Sequence, residues 1–139
     1  MAINNFTGKY EFLSNFYNHP LVLDGVEYSN AEAAFQAQSA ADKGSKRKFA
    51  RLSGIKAKAY GRRIVQRDDW DEQAQIDAMR KVLIAKFKDE ELAKKLCNTG
   101  NEELINMNQF RDEYWGVTTR GGRNKLGEML MEIRAELQA

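Results

Sequence analysis

The sequence predicts an α+β fold, predominantly helical, built as a single domain with one or two short strand pairs. Three observations carry this reading. Ile76, Met79, Leu83 and Phe87 recur at spacings of three and four, and Leu126, Met129, Leu130, Ile133 and Leu137 repeat the pattern later on, so two long helices each bury one apolar stripe. The strand signal is short, with Leu21-Val-Leu and Val26-Glu-Tyr flanking Asp24-Gly25. The 139 residues hold no internal repeat, low-complexity tract or Pro/Ser-rich linker, enough chain for one core and too little for two.

The elements follow in order. Asp24-Gly25 predicts a type I′ hairpin turn, whose two central residues both need positive φ. Ser29 reads as the N-cap of a first helix running to about Ala41. Glu32, three residues on, completes a capping box, and Ala33, Phe35 (or Ala34) and Ala37 lie on the buried side. Two shorter helices fill 45–52 and 55–64, with Gly54 between them. The long helix starts at Asp69 or Trp70 and ends near Lys88. Asp89 caps the next, which Thr99-Gly100 terminates in a left-handed turn. Leu104-Ile-Asn-Met is a strand or extended segment, and the closing helix begins near Asn124.

Composition narrows the function classes. The chain is 42% apolar and 30% charged, ordinary for a soluble globular protein. No apolar run approaches the roughly 18 residues that span a bilayer, and the opening Met-Ala-Ile-Asn-Asn-Phe lacks the regions of a secretion signal. The expectation is a cytoplasmic protein with no membrane partner. Cys97 and His19 are the only cysteine and histidine, which argues against a disulfide framework and against a structural zinc site. Any Ser-His-Asp or Cys-His mechanism would need His19, which sits before the lone Pro20 in a predicted turn. The net charge of +2 hides an asymmetry: residues 43–67 hold ten Lys or Arg and no acid, leaving about −8 for the remainder. Such a segment faces phosphate groups or forms the solvated side of two surface helices, and its two aromatics, Phe49 and Tyr60, do not make a stacking platform.

Three clusters set acids beside rings. Ser29-Asn-Ala-Glu-Ala-Ala-Phe-Gln-Ala-Gln carries Glu32, which either completes the cap or presents an oxygen to a ligand. Asp68-Asp-Trp-Asp carries Trp70 at the mouth of the long helix, as a half-buried anchor or as a flat wall for a base. Asp112-Glu-Tyr-Trp-Gly is a plain turn, or a loop whose Tyr114 and Trp115 meet a ligand while Gly116 lets the backbone approach it. Gly121-Gly122-Arg-Asn ahead of a helix suggests a phosphate cradle. Acids and rings without a Cys/His cluster point to a sugar or a base as ligand.

Taken in order, these segments resemble the NADAR family, named for its association with NAD and ADP-ribose, which includes the YbiA-like N-glycosidases. The resemblance runs from about Phe6 to Leu137. It rests on Phe12-Leu-Ser-Asn-Phe, the hairpin ending at Tyr28, the Ser29–Gln38 run, Gly61-Arg, Asp69-Trp-Asp, Met79, Ala85-Lys-Phe, Asp112-Glu-Tyr-Trp-Gly and Asn124-Lys-Leu-Gly-Glu-Met-Leu-Met-Glu-Ile-Arg. It implies a single YbiA-like domain over residues 1–139 and hydrolysis of the bond between C1′ of a ribose and a nitrogen, with no metal or cofactor. The substrates it implies are ADP-ribose attached to a guanine-type base and phosphorylated ribosylamino-pyrimidines, with ADP-ribosylated nucleic acid among the partners. It places catalysis on Glu32, Asp112 and Trp70, and substrate binding on Asn15, Phe16, Gln36, Lys86, Asn106, Trp115, Gly116 and Asn124.

The chemistry asks for those types. Cleavage builds an oxocarbenium-like ribose that a carboxylate stabilises, a second acid serves the leaving nitrogen or the water, and Lys86 or the basic stretch neutralises phosphate. Two departures stand out: Asn106 replaces a Glu usual in the family, and Ala33 stands where a His is common. If that Glu is essential, the chain is a non-catalytic ADP-ribose or nucleotide-binding module. If Glu32 and Asp112 suffice, Asn106 shifts substrate choice. A third reading is a nucleic-acid-binding protein that uses residues 43–67.

Overall fold

The computed structural model describes residues 2–108 and 111–139. In order these form β1 (Ala2–Ile3), a 3-10 helix (Gly8–Leu13), β2 (Leu21–Leu23), β3 (Val26–Tyr28), α1 (Ala31–Gln38), α2 (Lys43–Lys48), α3 (Gly54–Gly61), α4 (Glu72–Lys86), α5 (Glu90–Cys97), β4 (Glu103–Leu104) and α6 (Lys125–Gln138). The architecture is α+β and mainly helical, as the sequence predicts, with two two-stranded sheets. Packing within the chain falls into two compact units: Asn15–Lys88, and the two ends of the chain, residues 2–14 with those from Asp89 onward.

In the Asn15–Lys88 unit, β2 and β3 pair antiparallel with Leu21 opposite Tyr28, and the turn has Asp24 at φ 50° and Gly25 at φ 79°, the two positive values of type I′. Helix α1 is the hub, with α2, α3, α4 and both strands of the hairpin packed around it. Its alanines Ala33, Ala34 and Ala37 are buried and permit that crowding. Gly54, Ala57 and Gly61 are the buried residues of α3, spaced so that one face of small residues points inward and lets the helix approach α1 closely. Helix α4 buries Met79 and Leu83 of the expected stripe, with Phe87 buried just beyond its end and Val82 added, while Ile76 is only half-buried.

Several boundaries move, because other side chains cap the helix starts and a backbone pairing ends α1 early. The cap of α1 is Asn30, one residue beyond Ser29. Its Oδ1 accepts from the Ala33 N–H at 2.8 Å while its Nδ2 donates to the Leu52 carbonyl at 2.9 Å. The Ser29 hydroxyl instead donates to the Ala50 carbonyl, so the capping box with Glu32 does not form. Helix α1 stops at Gln38 rather than Ala41, because the Ala41 N–H donates to the Val65 carbonyl and Ala40 bridges Gln66. Asp42 and Ser53 cap α2 and α3 and start both earlier than 45 and 55. Asp71 caps α4, so Asp69 and Trp70 lie in the turn before it.

In the other unit, β1 pairs in parallel with β4, Ile3 opposite Leu104, and α6 packs on β4 and α5. Leu104 and Leu130 are fully buried, as is Leu96 of α5. Asp89 caps α5 through the Leu92 N–H, and Gly100 follows at φ 68°, both as expected. Leu137 leaves the α6 stripe and is 41% exposed, while the neighbouring Gln138 amide ties the last turn to the carbonyls of Cys97 and Gly100.

Candidate functional site

The residues singled out by sequence divide between the two units, and each group has its own bonding pattern. On α1, Glu32 is only 7% exposed. One carboxylate oxygen accepts from the Gln36 Nε2 at 2.8 Å, a bond between side chains one helical turn apart. The Glu32 N–H donates to the Asn15 carbonyl at 2.9 Å, tying the start of α1 to the Asn15 segment. Asn15 is itself buried; its Nδ2 reaches the Met79 sulfur of α4 at 3.4 Å, and its Oδ1 is buried without a hydrogen-bond donor. A buried acceptor left in this state costs about 1–3 kcal/mol. Glycines shape the surroundings: a Cβ at Gly61 would overlap the Gln36 amide oxygen, and one at Gly54 would overlap the Phe16 ring.

Lys86 lies two turns beyond Met79 on the buried side of α4 and is 3% exposed. Burial pushes its ammonium down to about 7 from the usual value near 10.5. Its Nζ sits 6.0 Å from the Tyr17 ring centroid and 5.4 Å from that of Phe87. Sequence reading named Lys86 but passed over Tyr17, whose only signal was its place next to Asn15-Phe16. Trp70 is half-buried against Phe35 of α1, ring centroids 5.7 Å apart, and the Arg67 guanidinium lies 5.1 Å from its ring centroid. Arg67 is fixed in turn by Asp69 at 3.0 Å. That arrangement is the anchor reading of Trp70; use as a stacking wall requires a ring face beyond those two partners.

In the other unit, Asn106, Asp112, Trp115, Gly116 and Asn124 are brought together, and by backbone bonds. The Asp112 Oδ1 accepts from the N–H groups of Tyr114 (3.0 Å) and Trp115 (2.9 Å), closing the turn, while the Asp112 N–H donates to the Asn108 side chain. The Asn106 Nδ2 donates to the Trp115 carbonyl at 3.3 Å. A glutamate at this position has no donor with which to make that bond. Asn124, at φ 53°, accepts from the Asn106 N–H at 2.8 Å and donates to the Leu104 carbonyl at 2.9 Å, pinning β4 to the start of α6. Gly116 is buried so tightly that a Cβ would overlap the Asn106 carbonyl.

The expected phosphate cradle at 121–124 does not form. The N–H groups of Arg123, Asn124, Lys125 and Leu126 donate to the carbonyls of Glu113, Gly116, Tyr114 and Trp115, so the donors that would meet an anion are already used. Among the described residues, no cluster of three or more His, Cys, Asp or Glu is placed to hold a metal ion, and no helix is long and apolar enough to cross a membrane.

The family model of the NADAR domain matches residues 4–138 as one span. The N-glycosidase YbiA of Escherichia coli is 35% identical over 133 residues, covering 92% of this chain and 82% of that one. An N-glycosidase of Nostoc punctiforme is 30% identical over 139 residues, covering 93% and 86%. A riboflavin biosynthesis protein of Vibrio vulnificus is 34% identical over 132 residues, which is 91% of this chain and 35% of that longer one. The NMR structure of E. coli YbiA superposes with a TM-score of 0.86 at 33% identity, over 99% of this chain and 84% of that one.

Proposed function

The chain belongs to the NADAR domain family, and from that premise we propose that it is an N-glycosidase that hydrolyses the ribose–nitrogen bond of an ADP-ribosylated, guanine-type base or of a phosphorylated ribosylamino-pyrimidine. The observation that carries the reading is the Glu32 carboxylate, buried on α1 and oriented by the Gln36 amide; the backbone of Asn15, whose buried Oδ1 accepts no hydrogen bond, is tied to the same helix start. Loss of the base leaves positive charge on C1′ and the ring oxygen. A carboxylate fixed in a dry setting stabilises that charge more strongly than one in water. The Asn15 Oδ1 is an acceptor for a ribose hydroxyl or a base N–H, orienting the sugar for attack. Trp70 is offered as a wall for the ring system and Phe16 as the apolar side, while the Asp112 carboxylate already holds two backbone N–H groups of its own turn. The reaction transfers no electrons and needs neither redox cofactor nor metal. The chemistry suits the cytoplasm, where nucleotide substrates are found.

Lys86 favours a second route to the same products. An amine that titrates near pH 7 is partly neutral under ordinary conditions and can act as a nucleophile. Its Nζ lone pair bonds to C1′ as the C1′–N bond breaks and the base departs with a proton. The ring oxygen then leaves C1′ to give an iminium, and water releases the sugar and regenerates the amine. The alternative task for Lys86, pairing a substrate phosphate, needs the charged form. Borohydride added during turnover separates the two: the first leaves a reduced adduct of sugar and protein, and the second leaves none.

The proposal is tested by chromatography of products from guanine-ADP-ribosylated oligonucleotide and, in parallel, a phosphorylated ribosylamino-pyrimidine. Release of ADP-ribose or ribose 5-phosphate is expected from one of them. Absence of release from both, with each substrate verified by an active relative, contradicts the proposal and leaves a nucleotide-binding module.

A further inference from the structure

The basic segment folds back on itself in a way the sequence does not disclose. At one end the Ala41 N–H donates to the Val65 carbonyl at 3.3 Å, the Arg67 N–H donates to the Ser39 carbonyl at 2.9 Å, and Ala40 bridges Gln66. Its middle is fastened to the start of α1, because the N–H and hydroxyl of Ser29 donate to the Ala50 carbonyl and the Asn30 amide donates to that of Leu52. Residues 41–66 are therefore a closed lobe stapled to both ends of α1, the helix that carries Glu32.

This lobe sorts its side chains by charge. Phe49, Gly54, Ala57 and Gly61 fill its inner side. Lys43, Arg47, Lys48, Arg51, Lys56, Arg62 and Arg63 are exposed, and Lys46 and Lys58 half-exposed. Nine cations against Asp42 alone give the lobe a charge of +8, so the remainder of the chain carries −6 to reach the total of +2. Asp42 is engaged as the cap of α2 through the Ser45 N–H and hydroxyl.

We propose that this lobe docks a single strand of nucleic acid through its phosphates and so delivers a strand-borne base to the Glu32 site. The inference deepens the hydrolase reading and rests on it for the purpose of docking. Concentrated positive charge without interspersed acids suits a regular polyanion, whose condensed counterions are released on binding. An unpaired strand is the form in which a base can leave the stack and enter a site. A lipid surface fits less well. Helix α2, Lys-Gly-Ser-Lys-Arg-Lys, has no apolar residue to insert, and the exposed Ile55 and Val65 stand near opposite ends of α3 and its exit.

The test titrates the full chain with a fluorescent, unmodified single-stranded DNA of about 20 nucleotides across a salt series, beside the triple variant Arg47→Glu, Lys48→Glu, Arg62→Glu. With four to six phosphates contacted, the wild-type log affinity should fall against log salt with a slope of about −3 to −4. The variant should bind at least about tenfold more weakly with a shallower slope and keep its helical circular dichroism. Equal binding by the two proteins overturns the proposal. So does tighter wild-type binding to polyglutamate or to phosphatidylserine vesicles than to the strand. The titration uses unmodified DNA, so a failure of the hydrolase reading leaves it interpretable.

Discussion

The polar cluster on α1 and the turn at residues 112–116 use their hydrogen-bonding capacity in opposite ways. On α1 one Glu32 oxygen is held by a neighbouring side chain, the Asn15 segment tied to that helix has a buried acceptor without a donor, and on α4 Lys86 is buried far enough to titrate near neutrality. Around Asp112, one carboxylate oxygen holds two backbone N–H groups, and Asn106 and Asn124 bond to main-chain atoms. The first cluster carries a buried acceptor, the Asn15 Oδ1, whose burial costs stability and which a ligand can satisfy; the second is spent on its own scaffold. Both are acid-and-aromatic motifs in the sequence, and only the partners of their atoms distinguish them.

Lys86 provides the largest test of this contrast. Its folded pKa lies below its unfolded value, so the unfolded chain binds more protons between about pH 7 and pH 10, and stability rises with pH across that window. Denaturant midpoints of the wild type should climb through it, and Lys86→Met should remove most of the climb. A wild-type profile that is flat there would mean the ammonium is not desolvated in the folded protein.

Asp112 sharpens the other side. Asp112→Ala strips the acceptor from two turn N–H groups and should cost about 1–3 kcal/mol in urea unfolding. Asp112→Asn keeps an oxygen there and should cost far less. Equal losses would show that charge, not the turn, is what Asp112 supplies.

A smaller effect is expected at Gly61. A methyl group there displaces the end of the Gln36 side chain, which can swing away without disturbing the backbone. Gly61→Ala should therefore leave stability within about 1 kcal/mol and lower kcat by roughly tenfold, because Glu32 loses the amide that orients it. Restoration of the rate by shortening residue 36, with Gln36→Asn on the Gly61→Ala background, would tie the effect to that amide. An unchanged kcat in Gly61→Ala would separate Gln36 from catalysis.

Legibility followed the range of the interactions. The stripes of α4 and α6 apart from Ile76 and Leu137, the Asp24-Gly25 turn and the Asp89 cap are local patterns and stand where the sequence puts them. The cap of α1 was misplaced by one residue, since Ser29 and Asn30 are both good caps and the distant carbonyls of Ala50 and Leu52 decide between them. Lys86 looks like an ordinary cation in the last turn of a helix, and only packing shows it to be buried. The cradle at 121–124 failed because the 113–116 carbonyls claim its N–H groups, a pairing that no short motif encodes. Glu32, Gln36 and Asn15 were all legible as candidates, but the orphaned Asn15 oxygen was not.

The most direct measurement is single-turnover release of ADP-ribose from the guanine-ADP-ribosylated oligonucleotide by the wild type, Glu32→Gln and Asp112→Asn, each checked for an unchanged melting curve. The account predicts that Glu32→Gln loses at least about a hundredfold in rate while Asp112→Asn keeps a substantial fraction. Full activity in Glu32→Gln, or its retention there together with complete loss in Asp112→Asn, would move the reacting carboxylate from α1 to the turn and contradict the central claim.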